Sequence, residues 1–135
     1  MAMSGAGTRS DTVGGDPLKD PNNILSRRSI FFDYDQFTVK EEFKPVVSAH
    51  ARYLQQNRSA SATIQGHADE RGSREYNLAL GQKRADAVKQ MMTLLGAPAS
   101  QIETVSFGEE KPRAQGANEQ AYAENRRADI VSRGE

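Results

Sequence analysis

Apolar residues recur along this chain with two different periods, and their alternation sets out the elements. Ile30, Phe31 and Phe32 form a short apolar run that predicts a strand over residues 29–32. Phe43, Val46, Val47, His50 and Leu54 then recur at helical spacing to about Gln56. Thr38 and Glu41 stand ahead of them at capping-box spacing. Pro45 suits only a first turn, so the regular helix is expected to begin near Glu41 or Glu42. Residues 60–65 predict a second strand. From residue 73 to 95, Leu80, Ala87, Val88, Met91 and Leu95 fall on one stripe of a helical wheel. Gly96 and Pro98 stop that helix. Ile102, Val105 and Phe107 mark a third strand over 101–107. Asn118 caps a short helix to about Glu124, and residues 127–131 predict the last strand.

The resulting order is β-α-β-α-β-α-β. Strands alternating with helices predict an α/β layered domain built on one sheet. The links between consecutive strands are long enough to hold helices, so the sheet is expected to be parallel or mixed. Residues 1–26 are rich in Gly, Ser, Thr and Asp and lack apolar periodicity. They are read as a flexible tether, with the folded domain over 27–135.

Composition narrows the functional classes. The 135 residues favour one domain, and formal net charge is zero. No basic cluster is interleaved with aromatics, so nucleic acid is not expected as a partner. Cysteine is absent, which removes disulfides, thiolate metal sites and thiol catalysis. No apolar run approaches membrane-span length, and no secretory leader opens the sequence.

The chemistry concentrates in Gly66-His67-Ala68-Asp69-Glu70-Arg71-Gly72-Ser73, a charged loop between a strand and the long helix. Arg84 then falls in the middle of the helix's apolar stripe, as does Asn77. A core-facing arginine must be paired or must line a cavity, because an isolated buried charge is very costly. Asp69 and Arg84 together form a two-ended receptor. The carboxylate suits an ammonium group, and the guanidinium fork suits a carboxylate. The pair matches a zwitterion such as a free α-amino acid end. The alternative is an internal Asp69–Arg84 salt bridge that only ties loop to helix. Asp33-Tyr34-Asp35-Gln36, at the exit of the first strand, is either a turn or part of a polar site. His50 reads as a hydrogen-bonded packing histidine.

Catalysis finds little support. Asp69 with Glu70, and Glu109 with Glu110, are adjacent carboxylates of the kind usually found solvated in loops. No serine sits in a nucleophile-elbow context, and no phosphate-cradling motif is present. His67, Asp69 and Glu70 lack the further ligand a zinc site wants. No metal or other cofactor is expected, and the chain is read as a non-enzyme.

The motif set as a whole resembles the OmpA-like C-terminal domain family. The matching stretches begin with Gly66 to Ser73, Glu75-Tyr76-Asn77 and Leu80-Gly81-Gln82-Lys83-Arg84-Ala85. Further matches are Phe32-Asp33-Tyr34-Asp35, Ala49-His50-Ala51, Ser106 to Pro112 and Asn125-Arg126-Arg127-Ala128. They span residues 30–131. The resemblance implies an α+β sandwich with helices packed on one mixed sheet. It also implies non-covalent peptidoglycan binding through meso-diaminopimelate of the stem peptide, which carries an ammonium and a carboxylate on one carbon. It places Asp69, Arg84, Asn77, Leu80, Tyr34 and Asp35 in that site, with Ala68 and Arg71 beside them. Asn125, Arg126 and Arg127 are expected to brace the last strand.

The family's lipid-anchored members carry a leader and a lipid-bearing cysteine, which this sequence lacks. The expectation is a soluble form that starts after the lipidated residue. The native protein would be tethered to the outer membrane by its lipid anchor and would face the periplasm. About 25 disordered residues would give it an r.m.s. reach of about 25–30 Å. The implied protein partners are Tol-system proteins such as TolB and TolA.

Overall fold

The computed structural model describes residues 16–133. Among the described residues there are four strands: β1 (Ser29–Phe31), β2 (Ala62–His67), β3 (Ile102–Gly108) and β4 (Arg127–Ser132). Three helices alternate with them: α1 (Lys44–Gln56), α2 (Arg74–Leu94) and α3 (Glu119–Asn125). The strand order across the sheet is β1-β4-β2-β3. β2 and β3 are parallel, joined through α2, while β4 lies antiparallel to both β1 and β2. The expected order and the mixed sheet are both found.

The core lies between the sheet and α1 and α2. Ile30, Ile64, Ala128 and Ile130 from the strands meet Val47, Ala51 and Leu54 of α1 and Ala85, Val88 and Met92 of α2. The buried stripe of α2 runs Asn77, Leu80, Gly81, Arg84, Ala85, Val88, Met92. Of the expected stripe Asn77, Leu80, Arg84 and Val88 are buried, but Ala87 and Met91 are only half-buried, Ala85 and Met92 face the core in their place, and Leu95 is 45% exposed. The helix stops there because Gly96 adopts φ +106°. Gly96 N–H then donates to Thr93 O, and Ala97 N–H to Met92 O, both at 3.0 Å. This is the paired C-terminal closure that glycine permits.

One contact fixes how α2 meets the sheet. A Cβ on Gly66 would lie 1.7 Å from the Gly81 carbonyl oxygen. A Cβ on Gly81 would lie 2.3 Å from Ser106 Oγ. Strand and helix backbones therefore touch directly at these two glycines, which sets the first turns of α2 against the end of β2.

Three expectations need correction. β2 runs to His67 rather than Gln65, because Gly66 continues the ladder to Ala128 and Ser106. The Thr38 capping box does not cap α1. A 3-10 turn over Glu41–Phe43 comes first, α1 starts at Lys44 with Pro45 in its opening turn, and Phe43 precedes it without a side-chain cap. Residues 16–26, assigned to the tether, are folded. Asn23 Oδ1 accepts from Leu25 N–H at 2.9 Å to cap a 3-10 turn over Ile24–Ser26. Leu18 is buried, and its carbonyl accepts from Arg28 Nη2. The remainder of the expected tether, residues 1–15, lies outside the described residues.

Candidate functional site

A cavity of about 130 Å3 opens where three segments converge. The turn after β1 contributes Tyr34 and Asp35. The β2–α2 loop contributes Ala68, Asp69, Arg71 and Gly72. The first turns of α2 contribute Tyr76, Asn77, Leu80 and Arg84. Every residue assigned to the site from the sequence lines this one cavity. Gly72 and Tyr76 line it too and were not foreseen.

The start of α2 is built to hold the loop in place. Ser73 Oγ accepts from Tyr76 N–H at 3.1 Å and caps the helix. Asn77, buried at the cavity wall, donates from Nδ2 to Glu109 Oε1 at 2.7 Å. Asp35 adopts φ +58°, a left-handed conformation that aspartate tolerates better than most residues. Its carboxylate accepts from the Tyr76 hydroxyl, closing the turn over the helix.

Arg84 forms the floor and is fully buried. Its Nε donates to Gln36 O at 2.8 Å, Nη1 to His67 O at 2.9 Å and Nη2 to Asp33 O at 3.2 Å. Its guanidinium lies 5.3 Å from the Phe32 ring centroid. Of the five N–H donors an arginine carries, these carbonyls take three. Burial pushes its pKa down to about 10, with the Asp69 charge opposing. Arg84 therefore clamps the 33–36 turn to the end of β2 while lining the cavity.

Asp69 is also buried, but its partner is Arg71. It accepts from Arg71 N–H at 3.0 Å, from Nε at 3.1 Å and from Nη2 at 2.8 Å. Arg126 Nη1 stands 4.0 Å behind it. Burial raises the carboxyl pKa, but Arg71's hydrogen bonds and charge outweigh it and hold the group below its ordinary value. The internal Asp69–Arg84 salt bridge, the alternative reading of these residues, is not formed. Arg71 is itself held by two rings. Its guanidinium lies 4.2 Å from the centroids of both Tyr34 and Tyr122.

The remaining motif residues have other roles. The His67 ring is buried and stacks on Phe107 at 5.6 Å; its Nε2 lies 3.5 Å from Asp129 Oδ2, too poorly placed to count as a hydrogen bond. It serves the site through its carbonyl, which Arg84 binds. His50 Nε2 lies 2.8 Å from Arg27 O, as a packing histidine should. Asn125 Oδ1 accepts from Arg113 and Ala114 N–H groups, and Arg126 Nε donates to Phe32 O at 2.9 Å. These bonds brace β4 and the turn beside the cavity. Glu110 pairs with Arg74, leaving neither glutamate of that loop as part of a converging acid pair.

Residues 31–126 match the family model described as the OmpA family. A peptidoglycan-associated lipoprotein of Pasteurella multocida is 44% identical over 100 residues, covering 74% of this chain and 67% of the relative. Its counterpart in Haemophilus influenzae is 42% identical over 119 residues, covering 88% and 76%. The crystal structure of the peptidoglycan-associated lipoprotein from Burkholderia pseudomallei superposes with a TM-score of 0.85 at 49% identity, covering 87% of this chain and all of that one. The chain therefore belongs to the OmpA family, and within it is similar to the peptidoglycan-associated lipoproteins.

Proposed function

We propose that the Asp69–Arg84 cavity binds peptidoglycan by the zwitterionic end of meso-diaminopimelate and so ties the outer membrane to the cell wall. One observation carries this reading. An aspartate and an arginine share a small cavity without pairing to each other. Asp69 takes the ligand ammonium, sharing its oxygens with Arg71. Arg84 takes the carboxylate from the cavity floor, assisted by backbone N–H groups at the start of α2. Asn77 and Leu80 shape the wall, and Tyr34 and Asp35 form the lip. A single site of this size binds weakly, and many copies on one polymer gain by avidity. In the cell a lipid anchor would hold the domain at the periplasmic face of the outer membrane, within the Tol-Pal system.

Titration calorimetry with a diaminopimelate-containing stem peptide tests this, with a lysine-containing peptide as control. The lysine form keeps the ammonium and lacks the second carboxylate. Binding of the first alone is expected, and equal binding of both would remove Arg84 from the recognition.

A second reading has its own support. Tyr34, Phe37 and Tyr76 are 59%, 45% and 50% exposed around or beside the cavity. Exposed aromatic groups of this kind suit a protein partner, and Tol proteins such as TolB or TolA would then dock on the same face. Competition between such a protein and the stem peptide distinguishes a shared surface from separate ones.

A further inference from the structure

The sheet's hydrogen-bond register leaves the outer edge of β1 unpaired among the described residues. Ile30 lies opposite Ala128. On one side of this pair Phe32 N–H donates to Arg126 O at 2.9 Å, and on the other Ile130 N–H donates to Arg28 O at 2.8 Å. Antiparallel ladders bond at alternate pairs, so Ser29 and Phe31 turn their N–H and C=O groups away from β4. Those four groups have no hydrogen-bond partner among the described residues. Ser29–Phe31 also carries no lysine or proline, the usual means of blunting an edge.

A groove of about 400 Å3 runs beside that edge, between β1 and the start of α1. The rings of Phe31 and Phe43, 5.9 Å apart, form part of its wall. Arg27, Arg28 and Arg113 line it with one acid, Glu42, whose carboxylate lies 3.6 Å from Lys40 Nζ. Arg28 is engaged by Leu18 O, and Arg113 Nη2 reaches Asp129 Oδ1 at 3.2 Å and Ser29 Oγ at 2.9 Å, so the exposed Arg27 is the principal cation offered to the groove. None of these residues lines the Asp69 cavity.

We propose that this groove seats an extended acidic segment of a partner protein, which adds a strand to β1. The outward groups of Ser29 and Phe31 pair with the segment's backbone. Its carboxylates meet the arginines, and an aliphatic side chain packs on Phe31 and Phe43. Backbone pairing supplies affinity, and the basic rim selects against other extended chains.

The test follows backbone amide shifts of the full chain by NMR as a capped Glu-Val-Glu-Val-Glu peptide is added, with Lys-Val-Lys-Val-Lys as control. The acidic peptide is expected to move the Ser29 and Phe31 amides saturably and to slow their hydrogen exchange. The lysine peptide should leave them in place. Arg27 is exposed, so Arg27→Glu keeps the fold and should weaken binding about tenfold. Equal shifts with both peptides, no shift at millimolar peptide, or shifts confined to residues 68–84 would overturn the proposal. So would unchanged binding of an acidic peptide with an N-methylated backbone, since that is charge attraction without strand pairing. Vesicles of anionic lipid are run in parallel, and movement of the same amides by vesicles alone would assign the groove to a membrane surface instead.

Discussion

The Asp69 carboxylate is gripped by Arg71 through side-chain bonds of 3.1 and 2.8 Å, while the Arg71 guanidinium is stacked between Tyr34 and Tyr122. The carboxylate is thereby fixed in position and kept ionised before any ligand arrives. Asp69→Asn preserves the shape and one acceptor but removes the charge. Stem-peptide affinity is expected to fall about tenfold or more, since an ionised acceptor contributes roughly twice a neutral one. The cost to stability should be about 1–2 kcal/mol. The pH dependence has a definite sign. A carboxyl held below its ordinary 3.8 contributes stability above that pH and loses it as pH falls through the depressed value. Thermal melts from pH 6 to pH 2 should therefore decline less steeply in Asp69→Asn than in the parent.

Arg84 joins the 33–36 turn, the end of β2 and the cavity, so its removal is expected to damage the fold along with binding. Arg84→Ala leaves the carbonyls of Asp33, Gln36 and His67 without their donor and opens a hole beside Phe32. Urea unfolding should show a loss of about 3–5 kcal/mol. Arg84→Lys keeps a charge but lacks the planar fork, and about 1–3 kcal/mol is expected. Binding should be compared on Arg84→Lys under conditions where circular dichroism shows it folded. Full affinity in that variant would mean that charge alone, without the fork, reads the ligand.

His67 supplies a second pH dependence, of opposite origin. Burial, reinforced by the charge of Arg127, pushes its pKa down from 6.5 to about 4. The unfolded chain therefore binds a proton between those values that the folded chain does not. Stability rises with pH across that window and is lost as pH falls from 6.5 toward 4, by at most about 3 kcal/mol. The ring's Nε2 approaches Asp129 Oδ2 at 3.5 Å, outside good hydrogen-bond geometry, and Asp129 is held by Arg127 and Arg113. His67→Phe should therefore cost little at pH 7 and keep its stacking on Phe107. Denaturant midpoints at pH 7 and pH 5 should differ less in the variant than in the parent.

Much of this arrangement is legible in the residues themselves. Ser73, the apolar stripe and Gly96 bracket α2 to within a residue. An arginine in that stripe correctly signals a buried partner or a cavity. Its actual partners are the carbonyls of Asp33, Gln36 and His67, and a carbonyl carries no residue identity to read. Tyr76 escaped notice for a related reason. It looks like an exposed first-turn residue, and its hydroxyl finds Asp35, 41 positions earlier in the chain, only once the chain is folded back. Gly66 and His67 read as loop because a glycine usually ends a strand, whereas here it admits a helix. Leu18 is a lone apolar residue in a polar stretch, and only long-range packing reveals that it is buried.

Gly81 offers the sharpest test of how the cavity is assembled. It sits seven residues into α2, where alanine would ordinarily favour the helix by about 1 kcal/mol. Its φ is helical, so the backbone presents no objection to a side chain. The objection is spatial, because the new Cβ would lie 2.3 Å from Ser106 Oγ and 3.0 Å from the Gly66 carbonyl oxygen. Ser106 Oγ–H is committed to Leu78 O at 2.7 Å and accepts from Gly108 N–H, so it cannot swing aside without breaking both bonds. Gly81→Ala should therefore push α2 off β2 and lower stability by about 2–3 kcal/mol despite its better helix propensity. Displacement would widen the cavity by moving Asn77 and Leu80 away from Asp69. Stem-peptide affinity should then fall even where the variant remains folded. The double variant with Ser106→Ala removes the nearer obstacle and is expected to recover part of both losses. Recovery of neither would mean that the Gly66 backbone, not the serine, sets the distance between helix and sheet.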